Sequence, residues 1–239
     1  MRPNHANAKA KAAIVPSAAL LPEPLAPDLP VRLTGLPPVV SDHTVVLILG
    51  SFPGAASLRA GQYYAHPQNQ FWKILQALWP QHPVPPAGGP DAYPARCAWL
   101  LARGLGVWDV YASCERAGSL DTSIRHAVVN DFARLHGRCP QLAAVAHNGG
   151  ESFRHAGAVL RSLYPAPPPP PPPPPLAHDA AGLASPARDD VRGKPGHTVL
   201  GAPPVVATRL PSTSPANASW SFDRKLTAWA ALMAQHGLM

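Results

Sequence analysis

Residues 44–72 read TVVLIL followed by GSFPGAASLRAGQYYAHPQNQFW, and this stretch decides the fold. Thr44–Leu49 is a β-branched, apolar run without polar alternation, as in a strand buried on both faces of a parallel sheet. Gly50 ends the run. Pro53 stiffens the turn that follows, and Gly54 permits positive φ. Asn69–Trp79 (NQFWKILQALW) then places Phe71, Ile74, Leu75 and Leu78 on one helical face. Pro80 stops that helix. Strand, glycine turn and helix make the opening unit of a parallel α/β sheet.

The alternation continues down the chain. Ala98–Arg103 is a short helix candidate and Gly106–Val110 (GVWDV) a second strand. Asn130 or Asp131 can cap a short helix from Phe132 to His136. Leu142–Ala146 (LAAVA) is a third strand, stopped by His147-Asn148-Gly149-Gly150. Glu151–Tyr164 follows as a helix with Phe153, Ala156, Val159, Leu160 and Leu163 on one face. Val205–Thr208 is the next strand. Ser219 or Ser221 caps the last helix, whose apolar face is Phe222, Leu226, Trp229, Ala230 and Met233. This order predicts a doubly wound α/β sheet. The loops at 50–57, 147–150 and 210–219 each follow a strand, so they share the rim where such sheets bind ligands.

Of the 239 residues, 33 are Pro and 18 are Gly. The prolines cluster: Pro167 to Pro175 is unbroken, and others crowd the start of the chain. Such stretches bury too little apolar surface to fold. The expected organisation is therefore a flexible Ala/Pro-rich tail over 1–40, a domain formed by 41–164 and 196–239, and a disordered polyproline insert over 165–195. Gly shows no three-residue period, which excludes collagen. Charged residues are 14% of the chain, which excludes a highly charged disordered polymer. Cys97, Cys114 and Cys139 stand far apart with no CxxC pair, so neither a disulfide framework nor a cysteine-held metal or cluster is expected. A reducing, cytoplasmic setting fits. Val45–Leu49 is too short to span a bilayer. Pro16, Pro22 and Pro24 interrupt the apolar part of the N-terminal segment, and no signal peptide is read there.

The net charge is +7. Outside the two proline-rich segments, thirteen Lys and Arg face eight Asp and Glu, and eleven of the thirteen are Arg. An Arg-dominated basic domain suits a phosphate-bearing partner, although GC-rich coding alone yields the same bias. The Gly50–Trp72 stretch is no Walker loop, because no Gly-Lys-Ser/Thr follows, and it lacks GxGxxG. Its dense group of Tyr63, Tyr64, His66, Asn69, Phe71 and Trp72 reads either as packing at a helix start, with Asn69 as an N-cap, or as a binding site.

Three blocks carry a resemblance: GSFPG with YYAHPQNQFW, then VWDVYASCERAGSLDTSI at 107–124, then LPSTSPANA at 210–218. AHNG at 146–149 fits as a fourth. In this order they resemble the uracil-DNA glycosylase superfamily, and most of all its hypoxanthine-DNA glycosylase (deoxyinosine glycosylase) branch. The resemblance implies a single three-layer α/β/α domain with a mostly parallel central sheet. It also implies a monofunctional DNA-repair enzyme that flips a deaminated base, hypoxanthine first, out of DNA and hydrolyses its N-glycosidic bond.

On that resemblance, Asn148 is the first catalytic candidate, Asn69 the second and Asp109 the third. For Asn148 the competing reading is a helix N-cap, and for Asp109 a structural strand-end carboxylate. Ser51, Phe52, Tyr64 and His66 would form the base pocket, with Phe52 either a stacking face or core packing and Tyr64 a wall or a stacking ring. Ser212, Thr213, Ser214 and Pro215 would hold DNA phosphates, the competing reading being a plain Ser/Pro turn. His66, His147 and His197 could act as general acids, though lone loop-end histidines are more often structural. Other branches of the superfamily carry Asp or Asn where this chain has Phe52, and His where it has Leu210; both departures point away from efficient uracil excision. No metal and no cofactor are expected, and Lys73 and Lys225 are not obviously placed for Schiff-base chemistry. The expected partner is DNA containing a deaminated base, with no membrane, weak protein contacts through the polyproline insert, and a monomeric state. The alternatives are a non-catalytic DNA- or nucleotide-binding module on the same fold, a glycosylase acting mainly on uracil or xanthine, and a protein-interaction role for the polyproline run.

Overall fold

The computed structural model describes residues 32–135, 137–164 and 205–239. The chain opens with strand β1 (Arg32–Thr34) and enters β2 (Val46–Gly50). Helices α1 (Ala55–Ala60), α2 (Phe71–Leu78) and α3 (Ala92–Leu101) follow. Next come β3 (Leu105–Asp109), β4 (Tyr111–Glu115) and β5 (Arg125–Val129). After a 3-10 turn at Phe132–Leu135, β6 (Ala144–Asn148) leads to α4 (Gly150–Phe153) and α5 (Ala156–Leu163). The chain closes with β7 (Val206–Leu210) and α6 (Phe222–Gln235).

Four strands form a parallel sheet in the order β3-β2-β6-β7. Every residue of β2, β3 and β6 is buried, as expected of apolar strands covered on both faces. Helices complete a three-layer α/β/α domain. In the core, Phe71 of α2 meets Trp229 of α6 edge to face, with ring centres 5.8 Å apart. Among the described residues, no helix is long and apolar enough to cross a membrane.

Several sequence expectations need correction. The tail does not run to residue 40: Arg32–Thr34 pairs antiparallel with β4, and Val39 bridges Val107. Residues 1–31, the 165–195 insert and His197 lie outside the described residues. Glu151–Tyr164 is two helices rather than one, because the chain breaks its α-helical course at Arg154–His155. Phe132–Leu135 is a 3-10 turn, and Asp131 Oδ1 accepts the Ala133 N–H at its start.

A second, antiparallel sheet, β1-β4-β5, has no counterpart in the expected pattern. Only Val110 separates β3 from β4. The Val110 and Tyr111 N–H groups still donate to Gly50 O and Ser51 O, at 2.9 and 3.0 Å. The chain therefore stays beside the exit of β2 before it leaves for the second sheet.

Candidate active site

The parallel order β3-β2-β6-β7 reverses direction between β2 and β6, and ligands of open α/β sheets bind beyond the strand ends at such a point. Pairing aligns the last residues. Gly50 is opposite Asp109, Asn148 is opposite Leu210, and Gly50 and Asn148 lie one step beyond the Leu49–His147 pair. One row across the sheet edge thus carries Asp109, Gly50, Asn148 and Leu210.

Gly50 is glycine for a steric reason. A Cβ there would sit 2.2 Å from Asp109 Oδ1 and 3.8 Å from the Tyr64 hydroxyl. The Asp109 carboxyl is buried, and its Oδ2 has no hydrogen-bond partner. Burial, with the charge of Asp121 second and Arg116 opposing, pushes the carboxyl up to about 8. At neutral pH it is mostly a neutral acid. The Tyr64 hydroxyl is also buried, and no hydrogen bond of ordinary geometry satisfies it. Burial first, then Asp109, raises its pKa, while Asn148 lowers it. Tyr64 holds a positive φ of 55°, a strained conformation for a bulky residue that costs about 1–3 kcal/mol. Its ring stacks on Phe71 with centres 3.8 Å apart, so one face of this wall is already covered.

Asn148 does not cap a helix. Gly149, at φ 120°, precedes α4, and no side chain caps it. Asn148 instead faces the loop after β7. Its Oδ1 accepts the Thr213 N–H at 2.9 Å, and its Nδ2 donates to Thr213 Oγ1 at 3.0 Å. Thr213 is fully buried, so its hydroxyl orients Asn148 and does not reach phosphate. Ser212 and Ser214 are half-buried and Pro215 is exposed; these three keep the surface position expected of them. The loop is tied further: Gln70 N–H donates to Thr213 O, Asn217 Nδ2 to Ser212 O, and Lys225 Nζ to both Gln70 Oε1 and Asn217 O, the last two at 2.9 Å.

Asn69 lies at the entry to α2 and accepts the Phe71 N–H through Oδ1 at 2.9 Å. Asn69 is not the N-cap, which is Gln70; its oxygen closes a local turn one residue ahead of the helix, and its amide nitrogen is left over. Ser51 donates to Asp121 Oδ1 at 2.6 Å. Phe52 is buried, with the Arg116 guanidinium 5.0 Å from its ring centre. His66 is exposed and accepts from Gln68 N–H. His147 is buried; Ser152 Oγ donates to Leu49 O and so accepts from His147 Nδ1 at 2.8 Å. Burial drops this imidazole to about 4, which makes it a neutral structural residue.

The structure thus brings Asp109, Asn148 and Tyr64 to one sheet edge with Ser51 next to Gly50, buries Thr213 behind Asn148, and leaves Phe52 buried beside Arg116 and His66 exposed. Asp121, Arg116 and Lys225 were missed as parts of this region. Asp121 and Arg116 lie in the quoted 107–124 block, but nothing in their spacing shows that they fold back onto Ser51 and Pro53. Lys225 lies one helical turn from Phe222 and Trp229, at the edge of the apolar face of α6, but a lysine there gives no sign of burial in the sequence.

Fold and site together define a parallel α/β domain whose switch-point edge gathers the buried polar groups of Asp109 and Asn148 beside the Tyr64 ring. Comparison with known proteins makes the class specific. The family model for the uracil DNA glycosylase superfamily matches residues 37–233. Two hypoxanthine DNA glycosylases are similar in sequence. One, from Methanosarcina barkeri, is 38% identical over 122 residues, 49% of this chain and 72% of the relative. The other, from Methanosarcina acetivorans, is 35% identical over 115 residues, 48% and 70% of the two chains. A solution NMR structure from Methanosarcina acetivorans, which carries a provisional uracil DNA glycosylase name, superposes with a TM-score of 0.59 at 24% identity, covering 87% of this chain and 99% of that one; it shows the shared fold. The chain belongs to the uracil DNA glycosylase superfamily, and is a DNA glycosylase.

Proposed function

We propose that the protein excises hypoxanthine from DNA by hydrolysing the N-glycosidic bond of deoxyinosine and leaving an abasic site. The observation that carries this reading is the pair of unsatisfied buried groups, Tyr64 OH and Asp109 Oδ2, around Gly50 at the switch point. Buried polar groups without partners are rare in native proteins and call for a ligand or a chemical role. The names of the two sequence relatives supply the substrate class.

A flipped hypoxanthine presents N1–H as a donor and O6 and N7 as acceptors. A neutral Asp109 supplies one donor and one acceptor, which an ionised carboxylate cannot. Asn148 is held by Thr213, and its amide lies against the Tyr64 hydroxyl, so the two groups face the base together. As the C1′–N9 bond breaks, the electron pair leaves with the purine, and these fixed donors stabilise it. Water adds to the oxocarbenium-like C1′ and its proton passes to the departed purine anion, giving neutral hypoxanthine and an abasic sugar. The free amide nitrogen of Asn69 and the hydroxyl of Ser51 complete the polar lining, while Ser212 and Ser214 grip phosphate. Lys225 Nζ is engaged with Gln70 and Asn217, which supports hydrolysis over Schiff-base chemistry.

The test is a duplex with one inosine, incubated with the protein and then treated with alkali to break abasic sites. A strand break at the inosine is expected, with weaker breaks at uracil and xanthine in matched duplexes. No break at any of the three overturns the reading.

A further inference from the structure

We propose that Asp121 holds the water that attacks C1′, with Ser51 fixing the carboxylate in place; this rests on the glycosylase reading above. That reading gives Asp109, Asn148 and Tyr64 to the base and leaves the water without a partner. Asp109, buried and protonated, is no base. The sugar of a base held at these strand ends lies outward, where the site opens to solvent at half-buried Ser51 and exposed Asp121. Ser51 follows Gly50 directly, its carbonyl accepts the Tyr111 N–H at 3.0 Å, and its hydroxyl donates to Asp121 Oδ1 at 2.6 Å. The nearby carboxylate of Glu151 is engaged at both oxygens, by the Tyr111 hydroxyl at 2.6 Å and by Arg154 at 3.2 Å. Among the described residues, Asp121 is bonded through Oδ1 alone, so Oδ2 is open to a water.

The loop that carries Asp121 is clamped to the turn leaving β2. Ser119 Oγ accepts the Ala55 N–H at 3.0 Å, Arg116 donates to Pro53 O, and Leu120 O accepts the N–H and the hydroxyl of Ser123 at 3.1 and 2.7 Å. The carboxylate is therefore placed before the substrate arrives. Desolvation on its protein side raises the Asp121 carboxyl and Glu151 adds to the rise, while the Ser51 hydroxyl and the Arg116 guanidinium favour its charge. That charge in turn helps to keep Asp109 protonated, so the two carboxyls divide the work: one donates to the base, the other accepts from water. In the step, C1′–N9 breaks with its electron pair on the purine, the water oxygen bonds C1′, and Asp121 Oδ2 takes one water proton. The proton passes on to the purine anion, and Asp121 ends ionised as it began.

The full chain is tested in single-turnover excision from an inosine duplex across acidic to neutral pH. Binding is read separately on the same duplex carrying 2′-fluoro-2′-deoxyinosine, whose fluorine suppresses the cationic sugar. Asp121→Asn is expected to slow excision by about a hundredfold or more and to bind the fluorinated duplex no more weakly than wild type. The wild-type rate should fall as pH drops through the carboxylate range; Asp121→Asn should lose that limb, and Asp121→Glu should keep it with part of the rate. Ser51→Ala should cost about two- to tenfold in the wild-type background and nothing further in Asp121→Asn. Excision by Asp121→Asn at the wild-type rate, binding weakened as much as the rate, or an acid limb that survives in Asp121→Asn overturns the proposal. Wild type that cuts uracil or xanthine but not inosine overturns the hypoxanthine reading alone, and the same comparison on that base decides Asp121. Wild type that cuts none of the three overturns both.

Discussion

Asn148 and Thr213 lie 65 residues apart and bind each other twice: backbone N–H to Oδ1 at 2.9 Å, and Nδ2 to hydroxyl at 3.0 Å. The last strand's loop therefore sets the rotamer of an amide at the end of the third parallel strand. Asn148→Ala is expected to cut single-turnover excision at least about tenfold, the usual cost of losing one preorganised polar group. Thr213→Val keeps the shape and removes one of the two bonds, so a loss of about two- to tenfold is expected, consistent with one neutral hydrogen bond. Unchanged rates for Asn148→Ala would move the catalytic role to Asn69 or Asp109.

Gly50 and Asp109 form a steric pair. Gly50→Ala would place its Cβ 2.2 Å from Asp109 Oδ1, so the variant is expected to lose about 1–3 kcal/mol to overpacking and to lose activity. In an Asp109→Ala background the same change should cost far less. A double-mutant cycle by urea denaturation reads the coupling. Additive losses would show that the clash is relieved elsewhere.

Two buried groups set opposite pH slopes. Asp109 titrates near 8 in the fold against 3.8 ordinarily. Between those values the folded state binds more protons than the unfolded chain, so its contribution to stability falls as pH rises. His147 titrates near 4 against 6.5, so in that window the unfolded chain binds more protons and stability rises with pH. The slopes oppose each other up to pH 6.5, and of these two groups only Asp109 acts from there to about 8. Wild type should lose stability over that upper window with a slope approaching about 1.4 kcal/mol per pH unit, and Asp109→Asn should abolish the loss. Urea midpoints at the two ends of the window check it; an identical fall in both proteins would exclude Asp109 as its source.

Lys225 is buried on α6 and donates to Gln70 Oε1 and Asn217 O. Lys225→Met keeps the bulk but leaves both acceptors unpaired, at about 1–3 kcal/mol each. The expected outcome is a lower melting temperature and faster proteolysis within residues 211–219. An unaltered melting temperature with intact loop resistance would show that this cation ties nothing together.

Much of the parallel sheet was legible because its strands are continuous apolar runs. Val46–Gly50 and Ala144–Asn148 announce themselves by composition and by the glycines that end them. The antiparallel sheet was not. All five residues of β5, RHAVV, are exposed, and β4, YASCE, mixes polar and apolar residues without a clean period of two. Their pairing depends on partners far along the chain, including Arg32–Thr34 in a segment whose prolines suggested a tail. Arg154–His155, where one expected helix becomes two, carries neither Pro nor Gly to mark it.

The sequence by itself determined the alternation of buried strands and helices, the rim on which Gly50, Asn148 and the Leu210–Asn217 loop meet, and the family blocks. Local apolar runs, turn residues and ordered motifs carry that information, because each depends on neighbours along the chain. Tertiary structure alone decided which polar atoms are satisfied. Thr213 turned from phosphate ligand to support for Asn148, Phe52 came to lie beside Arg116, and Asp109 became a neutral acid. Those outcomes depend on desolvation and on contacts between residues tens of positions apart, and burial by distant parts of the chain, not residue type, sets the cost of a charge or an unpaired hydrogen bond.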